Sequence, residues 1–112
     1  MLARFELDDA DAFRRFVVTR PRALVLYRGH GCPYSATFEP VFAQLDAPPG
    51  WERALRIVEE GGRGPVAAAL DVDITPTVAA FVDGKEVARL PAKLLLGIPR
   101  RTYARWLKAL SQ

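Results

Sequence analysis

The sequence has no asparagine, and only one cysteine, one histidine and one methionine among its 112 residues. One cysteine cannot close a disulfide within the chain, so no cross-link supports the fold. One cysteine and one histidine also fall short of a tetrahedral metal centre built by one chain, so neither a metal nor a resident cofactor is expected. Long apolar runs are missing as well. No stretch approaches the ~18–20 uncharged apolar residues of a membrane-spanning helix, which excludes an integral membrane protein of that kind. The first nine residues, Met1 to Asp9, lack the apolar core of about 7–15 residues found in a secretory signal, and the expected location is the cytoplasm. Charge of one sign is not in large excess: 16 basic against 13 acidic residues leave +3. The basic pairs Arg14-Arg15 and Arg100-Arg101 stand far apart in the sequence with acids between them. Nucleic-acid binding calls for a denser patch interleaved with aromatics, so neither a nucleic acid nor a membrane is an expected partner.

Half of the residues are apolar and 10% are aromatic, enough to build a core. A chain of this length suits one compact domain spanning 1–112. Residues 2–7 alternate weakly and predict a short strand. Asp8-Asp9-Ala10-Asp11 opens a helix, since acids there suit free N–H groups and the positive dipole end. Phe13, Phe16 and Val17 form its buried stripe, and Arg20-Pro21 ends it. Residues 23–27 are continuously apolar, as in a central strand covered on both faces. After a loop, Arg28-Gly29-His30-Gly31, a helix runs from Cys32 to about Asp46. Pro40 lies inside it and is expected to kink it. Residues 53–59 predict a strand, Gly61–Gly64 a loop and residues 65–70 a short helix. Asp83-Gly84 joins two apolar runs, 77–82 and 86–90, as a hairpin turn. Residues 99–110 predict an amphipathic helix with Tyr103, Trp106, Leu107 and Leu110 on one face. Its Arg100, Arg101, Arg105 and Lys108 read as a solvated face. Trp51 and Trp106 read as packing aromatics. The order β-α-β-α-β-α-β-β-α places the chain in the α/β class, with a mixed central sheet and helices on both faces.

Chemistry in such sheets gathers where a strand ends and a helix begins, and Cys32 lies at such a junction. A helix N-terminus favours thiolate over thiol. Pro33 suits the first helical turn, where its missing N–H is not needed. Gly29 and Gly31 let the backbone turn and leave the sulfur uncovered. Arg28 and His30 are expected to tune the thiol pKa downward by positive charge, with no acid between Tyr27 and Glu39. The Ser35 hydroxyl can donate a hydrogen bond to the sulfur. Tyr34 is expected as an exposed ring beside it.

Together, the apolar strand before the loop, Cys32-Pro33-Tyr34-Ser35, Pro40, Thr75-Pro76-Thr77 and Asp83-Gly84-Lys85 resemble the thioredoxin-fold family. The resemblance is strongest over residues 23–90 and extends loosely over the whole chain. It implies a thioredoxin-like fold in which Pro76 is a cis-proline facing the reactive sulfur. It also implies that Thr75 offers backbone groups to a bound peptide, with Pro33 and Tyr34 completing the substrate surface. Several departures from thioredoxins follow. Ser35 replaces their second cysteine, Gly31 their tryptophan, Leu26 their buried aspartate, and Ile57 the lysine that partners it. Cys-Pro-Tyr is closer to the glutaredoxin motif, yet no glutathione-binding Gly-Gly-Asp segment is recognisable at 91–97.

With one thiol, Cys32 can attack a disulfide and form a mixed disulfide, but Ser35 cannot resolve it. Release then requires an external thiol, with glutathione as a possible co-substrate, or a second thiol on the partner. The expected partners are protein disulfides or thiols and glutathione, and the chain is expected to be a monomer or weak dimer. Two further readings stay open: a redox-silent binding module that uses the groove beside Pro76, or an engineered Cys-to-Ser form of a Cys-Pro-Tyr-Cys oxidoreductase. A bridged iron–sulfur cluster is disfavoured by the rigid Pro33 and the missing glutathione segment.

Overall fold

Residues 23–27 are apolar without interruption because they lie at the centre of a sheet and are covered from both sides. They belong to strand β2 (Arg22–Gly29), and from Ala23 to Tyr27 no residue is more than 1% exposed. Alternate side chains serve two separate cores. Ala23, Val25 and Tyr27 join one cluster, and Leu24 and Leu26 join the other, as the period-2 geometry of a strand requires.

The computed structural model describes residues 2–111, so Met1 and Gln112, the two ends of the expected 1–112 domain, lie outside the described residues. Along the chain come β1 (Ala3–Phe5), α1 (Ala10–Thr19), β2, α2 (Pro33–Gln44), β3 (Glu52–Val58), a 3₁₀ turn (Glu60–Gly62), α3 (Pro65–Ala69), β4 (Thr77–Val82), β5 (Lys85–Pro91) and α4 (Arg100–Leu110). The sheet order is β1-β3-β2-β4-β5. Strands β1 and β2 pair parallel with β3, whereas β4 is antiparallel to β2 and to β5. The sheet is therefore mixed. On one face Phe13, Phe16 and Val17 of α1 and Ala67 of α3 pack against it. On the other face Phe38 and Phe42 of α2 join Tyr103 and Leu107 of α4. Trp51 and Trp106 pack at the margin of this second cluster, and the Arg100, Arg101, Arg105 and Lys108 face is exposed. Among the described residues, no helix is long and apolar enough to cross a membrane.

Two details depart from the sequence expectation. Arg28 and Gly29 are not loop residues, because β3 runs on to Val58 and pairs with them. Helix α2 carries Pro40 inside it, as expected, and ends at Gln44. The glycine-rich loop holds a 3₁₀ turn, with Gly61 and Gly62 both at positive φ.

That turn brings Glu59 back over the start of α3. Gly64 offers α3 no side-chain cap, and the Glu59 carboxylate accepts from the backbone N–H of Val66 at 2.7 Å and of Ala67 at 2.9 Å. Desolvation pushes the Glu59 carboxyl up, but these two donors, with the Glu59 backbone N–H and the Arg56 charge, more than offset it and its pKa falls below the ordinary value. A carboxyl whose pKa is lowered in the folded state adds stability above its unfolded pKa and loses it as pH falls through the folded one. The melting temperature of Glu59→Gln should therefore lie below that of the parent at pH 7. The gap should narrow as the pH is lowered from about 4.3, the ordinary glutamate value. Melting curves across this range check it, and a gap that does not depend on pH would refute the capping role.

Candidate functional site

Two segments far apart in the chain meet at Cys32. The first is the turn from β2 into α2. Strand pairing holds Gly29 opposite Val58, and His30 donates from its backbone N–H to the Val58 carbonyl at 2.9 Å. The chain reverses at Gly31, which has φ +72°, a left-handed conformation that glycine adopts at little cost. Cys32 N–H then donates to the Gly29 carbonyl at 3.2 Å, and the Cys32 carbonyl accepts from Ala36 N–H at 3.0 Å. Cys32 is thus the residue immediately before α2, with Pro33 in the first helical turn.

The second segment is Ile74-Thr75-Pro76, leading into β4. The Thr75–Pro76 peptide is cis. The Cys32 thiol donates toward the Thr75 carbonyl, with Sγ 3.7 Å from that oxygen. Thr75 and Pro76 are buried. Gly29 makes this approach possible, since a Cβ there would run into Thr75 Oγ1 and the Cys32 Cβ. Cys32 itself is buried, only 9% exposed, so the sulfur is not left uncovered as expected: the Ile74-Thr75-Pro76 segment packs against it. Pro33 and Tyr34 lie outside it at the surface, with Tyr34 41% exposed.

Burial pushes the Cys32 thiol up, yet its pKa is net lowered. Hydrogen bonds to the sulfur from the Ser35 and Thr75 side chains, and from the Ser35 and Tyr34 backbone, stabilise the thiolate. Ser35 is fully buried and its Oγ accepts from Gly29 N–H at 3.1 Å, which leaves the hydroxyl proton free to turn to the sulfur. Thr75 Oγ1 is buried and has no hydrogen-bond partner within the 4.0 Å limit for sulfur. The structure corrects the expected electrostatics here. Arg28 is committed to Glu39, with Nε 2.5 Å from Oε1, so an acid within the following helix neutralises it. His30 is solvent-exposed. Neither is among the groups that lower the thiol pKa. Hydrogen bonding tunes this sulfur instead.

In the β2–β3 register Leu26 lies opposite Leu55, and Ile57 lies two residues further on, opposite Arg28. Leu26 and Leu55 both belong to the α2–α4 core cluster, and Ile57 is buried. The sequence reading assigned Thr75 its backbone groups and missed its hydroxyl; a hydroxyl-bearing residue directly before Pro76 was the available signal. It also missed a surface feature next to Tyr34. Lys93 and Gly97 close a small turn by reciprocal backbone hydrogen bonds of 3.1 and 3.0 Å. This turn holds Leu94, Leu95 and Leu96 outward at 78%, 74% and 67% exposure. Gly97 packs so closely on Tyr34 that a Cβ would come to 3.3 Å from its ring.

Solved structures align with the chain over nearly its full length. A mutant thioredoxin from Halobacterium salinarum NRC-1 has a TM-score of 0.71 at 16% identity, covering 98% of this chain and 92% of its own. An oxidised thioredoxin from Plasmodium falciparum has a TM-score of 0.72 at 13% identity, covering 98% and 100%. The chain has the thioredoxin fold. A third match, in a structure describing thiol resolution in yeast mitochondrial 1-Cys peroxiredoxin via glutathione/thioredoxin systems, has a TM-score of 0.69 at 18% identity, covering 94% and 93%. No protein-family model and no curated protein matches the sequence. Within this thioredoxin fold, Cys32 stands at the start of α2 facing the Thr75–Pro76 peptide. Among the described residues, no group of three or more His, Cys, Asp or Glu could hold a metal ion.

Proposed function

We propose that this chain is a monothiol exchange protein that acts through Cys32 on protein or glutathione mixed disulfides. The observation that carries the reading is the placement of the sulfur: at the start of α2, 3.7 Å from the Thr75 carbonyl, with its pKa lowered by hydrogen bonds. The Cys32 thiolate attacks one sulfur of a disulfide, forms a new S–S bond to it, and expels the other as a thiolate. Ser35 supplies a hydrogen bond but no second sulfur. A glutathione thiolate then attacks the mixed disulfide and frees Cys32 as thiolate. The yeast neighbour's structure concerns thiol resolution via glutathione/thioredoxin systems, which supports an external thiol in that role. A reducing compartment rich in glutathione, such as the cytoplasm, fits this chemistry, and no resident cofactor is required.

Thr75 and Pro76 line the approach to the sulfur, and Tyr34 with Pro33 forms its outer edge. In this reading the three leucines beyond Tyr34 contact apolar residues of a protein substrate. A cluster of exposed large apolar side chains is the usual mark of such a contact. Replacing Leu94, Leu95 and Leu96 together by serine should slow reaction with a protein mixed disulfide by about tenfold or more, since burying each leucine contributes about 1 kcal/mol or more. Reaction with oxidised glutathione, too small to span the tip, should be unchanged. Equal slowing of both reactions would contradict the assignment.

The direct test incubates the reduced protein with oxidised glutathione and follows its intact mass. One glutathionyl adduct should form on Cys32, disappear on adding reduced glutathione, and be absent from Cys32→Ser. The rate of Cys32 alkylation against pH should show a midpoint below the ordinary thiol value of about 8.5. No adduct, or a midpoint at or above that value, would favour instead a binding module that uses the groove without reacting.

A further inference from the structure

Strand β3 carries a charge where its pattern calls for an apolar side chain. Ala54 and Val58 point into the α1–α3 core, and Arg56 stands between them, only 2% exposed. Its Nη1 donates to the backbone carbonyls of Glu6 and Ile57, and its guanidinium lies 5.4 Å from the centre of the Phe13 ring. Nε has no partner. Among the described residues, Arg56 forms no salt bridge. A buried cation with no carboxylate in direct contact is a costly arrangement unless something completes it.

Arg56 lines a cavity of about 750 Å³ between α1, α3 and the sheet, a size within the ~300–1,000 Å³ range of small-molecule sites. Phe13, Val17, Val66, Leu70 and Phe81 supply apolar wall. The nearby carboxylate of Glu86 is already committed, holding Arg89 through two bonds of 2.9 and 2.7 Å. Arg89 in turn binds the carbonyls of Asp71 and Leu70, so this pair is a closed unit. Arg56 is a buried cation of the cavity with no carboxylate in direct contact: Asp9, Glu59 and Asp8 act on it only from beyond salt-bridge distance, and Asp71 lines the cavity as an exposed residue.

We propose that this cavity binds a small monocarboxylate with an apolar body, its carboxylate paired with the Arg56 guanidinium and its hydrocarbon against the α1–α3 wall. The cavity opens on the sheet face opposite α2, so the site stands independently of any chemistry at Cys32. Charge complementarity selects the class: one anionic group to meet one buried cation, and an apolar remainder to fill the apolar wall. Dianions and polar sugars fit poorly.

The probe is decanoate, kept below its micellar concentration and titrated into the full chain while backbone amide NMR shifts are followed. Saturable shifts should be confined to α1, α3 and the facing strands. Arg56→Met should weaken decanoate at least tenfold, and decanol, with the same chain and no charge, should bind the parent no better than decanoate binds Arg56→Met. Val66→Trp, which leaves Arg56 in place and fills the cavity from α3, should abolish the shifts and decides the matter if Arg56→Met does not fold. Absence of saturable shifts with decanoate would overturn the proposal. So would equal binding of decanoate by the parent and Arg56→Met, or unaltered binding by Val66→Trp.

Discussion

Replacing Ser35 by cysteine should convert a protein that needs an external thiol into one that releases its own mixed disulfides. Ser35 is fully buried one helical turn beyond Cys32, and its hydroxyl already hydrogen-bonds toward the reactive sulfur. A thiol in its place would attack the Cys32 mixed disulfide, expel the bound partner and leave an intramolecular disulfide. With glutathione absent, the glutathionyl adduct of Ser35→Cys should decay at least about a hundredfold faster than that of the parent. That is a modest share of the effective molarity open to a well-placed intramolecular group. The core around the new thiol would still limit it. Leu26 and Leu55 face each other across the neighbouring strands, and neither can take up its proton. Intact mass reads both events, the loss of the adduct and the loss of two hydrogens. An adduct as long-lived as the parent's would show that position 35 does not address the sulfur.

The largest loss of stability is expected from Phe42→Ala. Phe42 has no exposed surface, and its ring meets Phe38 at 6.5 Å and Tyr103 at 6.1 Å between centroids. Truncating such a side chain removes its burial and leaves a cavity, at a cost of about 3–5 kcal/mol. Domains of this size are stable by only about 5–15 kcal/mol, so much of the total would go. Urea unfolding followed by circular dichroism measures the loss, with Leu95→Ala as a surface control expected within about 0.5 kcal/mol of the parent. A cost below about 1 kcal/mol would mean that α2 is not seated by its aromatic stripe. Because the same helix begins directly after Cys32, the variant would also disturb the site from 10 residues away in sequence.

What could be read from the sequence was what periodicity and local backbone chemistry encode. The unbroken apolar run of β2, the stripes of α1 and α4, and the Asp83-Gly84 turn all report burial or φ. The turn indeed has both central residues at positive φ, 51° and 82°, as a tight hairpin favours. The junction at Cys32 was legible for the same reason, since glycines, a proline and the end of an apolar run are local signals. What could not be read was partnership across the sheet. Register alone decides that Leu55 faces Leu26, and that Arg28 and Gly29 pair with Ile57 and Val58. Glu59 reaches α3 across a 3₁₀ turn, and Arg28 reaches Glu39 across the helix start. Arg56 shows the limit most clearly. By composition it belongs on a surface, and by alternation it belongs inside; the packed sheet resolved the conflict in favour of alternation.

The sulfur and the Thr75 carbonyl that faces it lie 43 residues apart in the chain, and no short piece of the polypeptide contains both. The two halves meet only where β2 and β4 pair in the sheet, whereas Tyr34 and Ser35, which also act on the sulfur, are its neighbours in the chain. A fragment ending before β4 would contain the nearby groups and lack the Thr75 carbonyl.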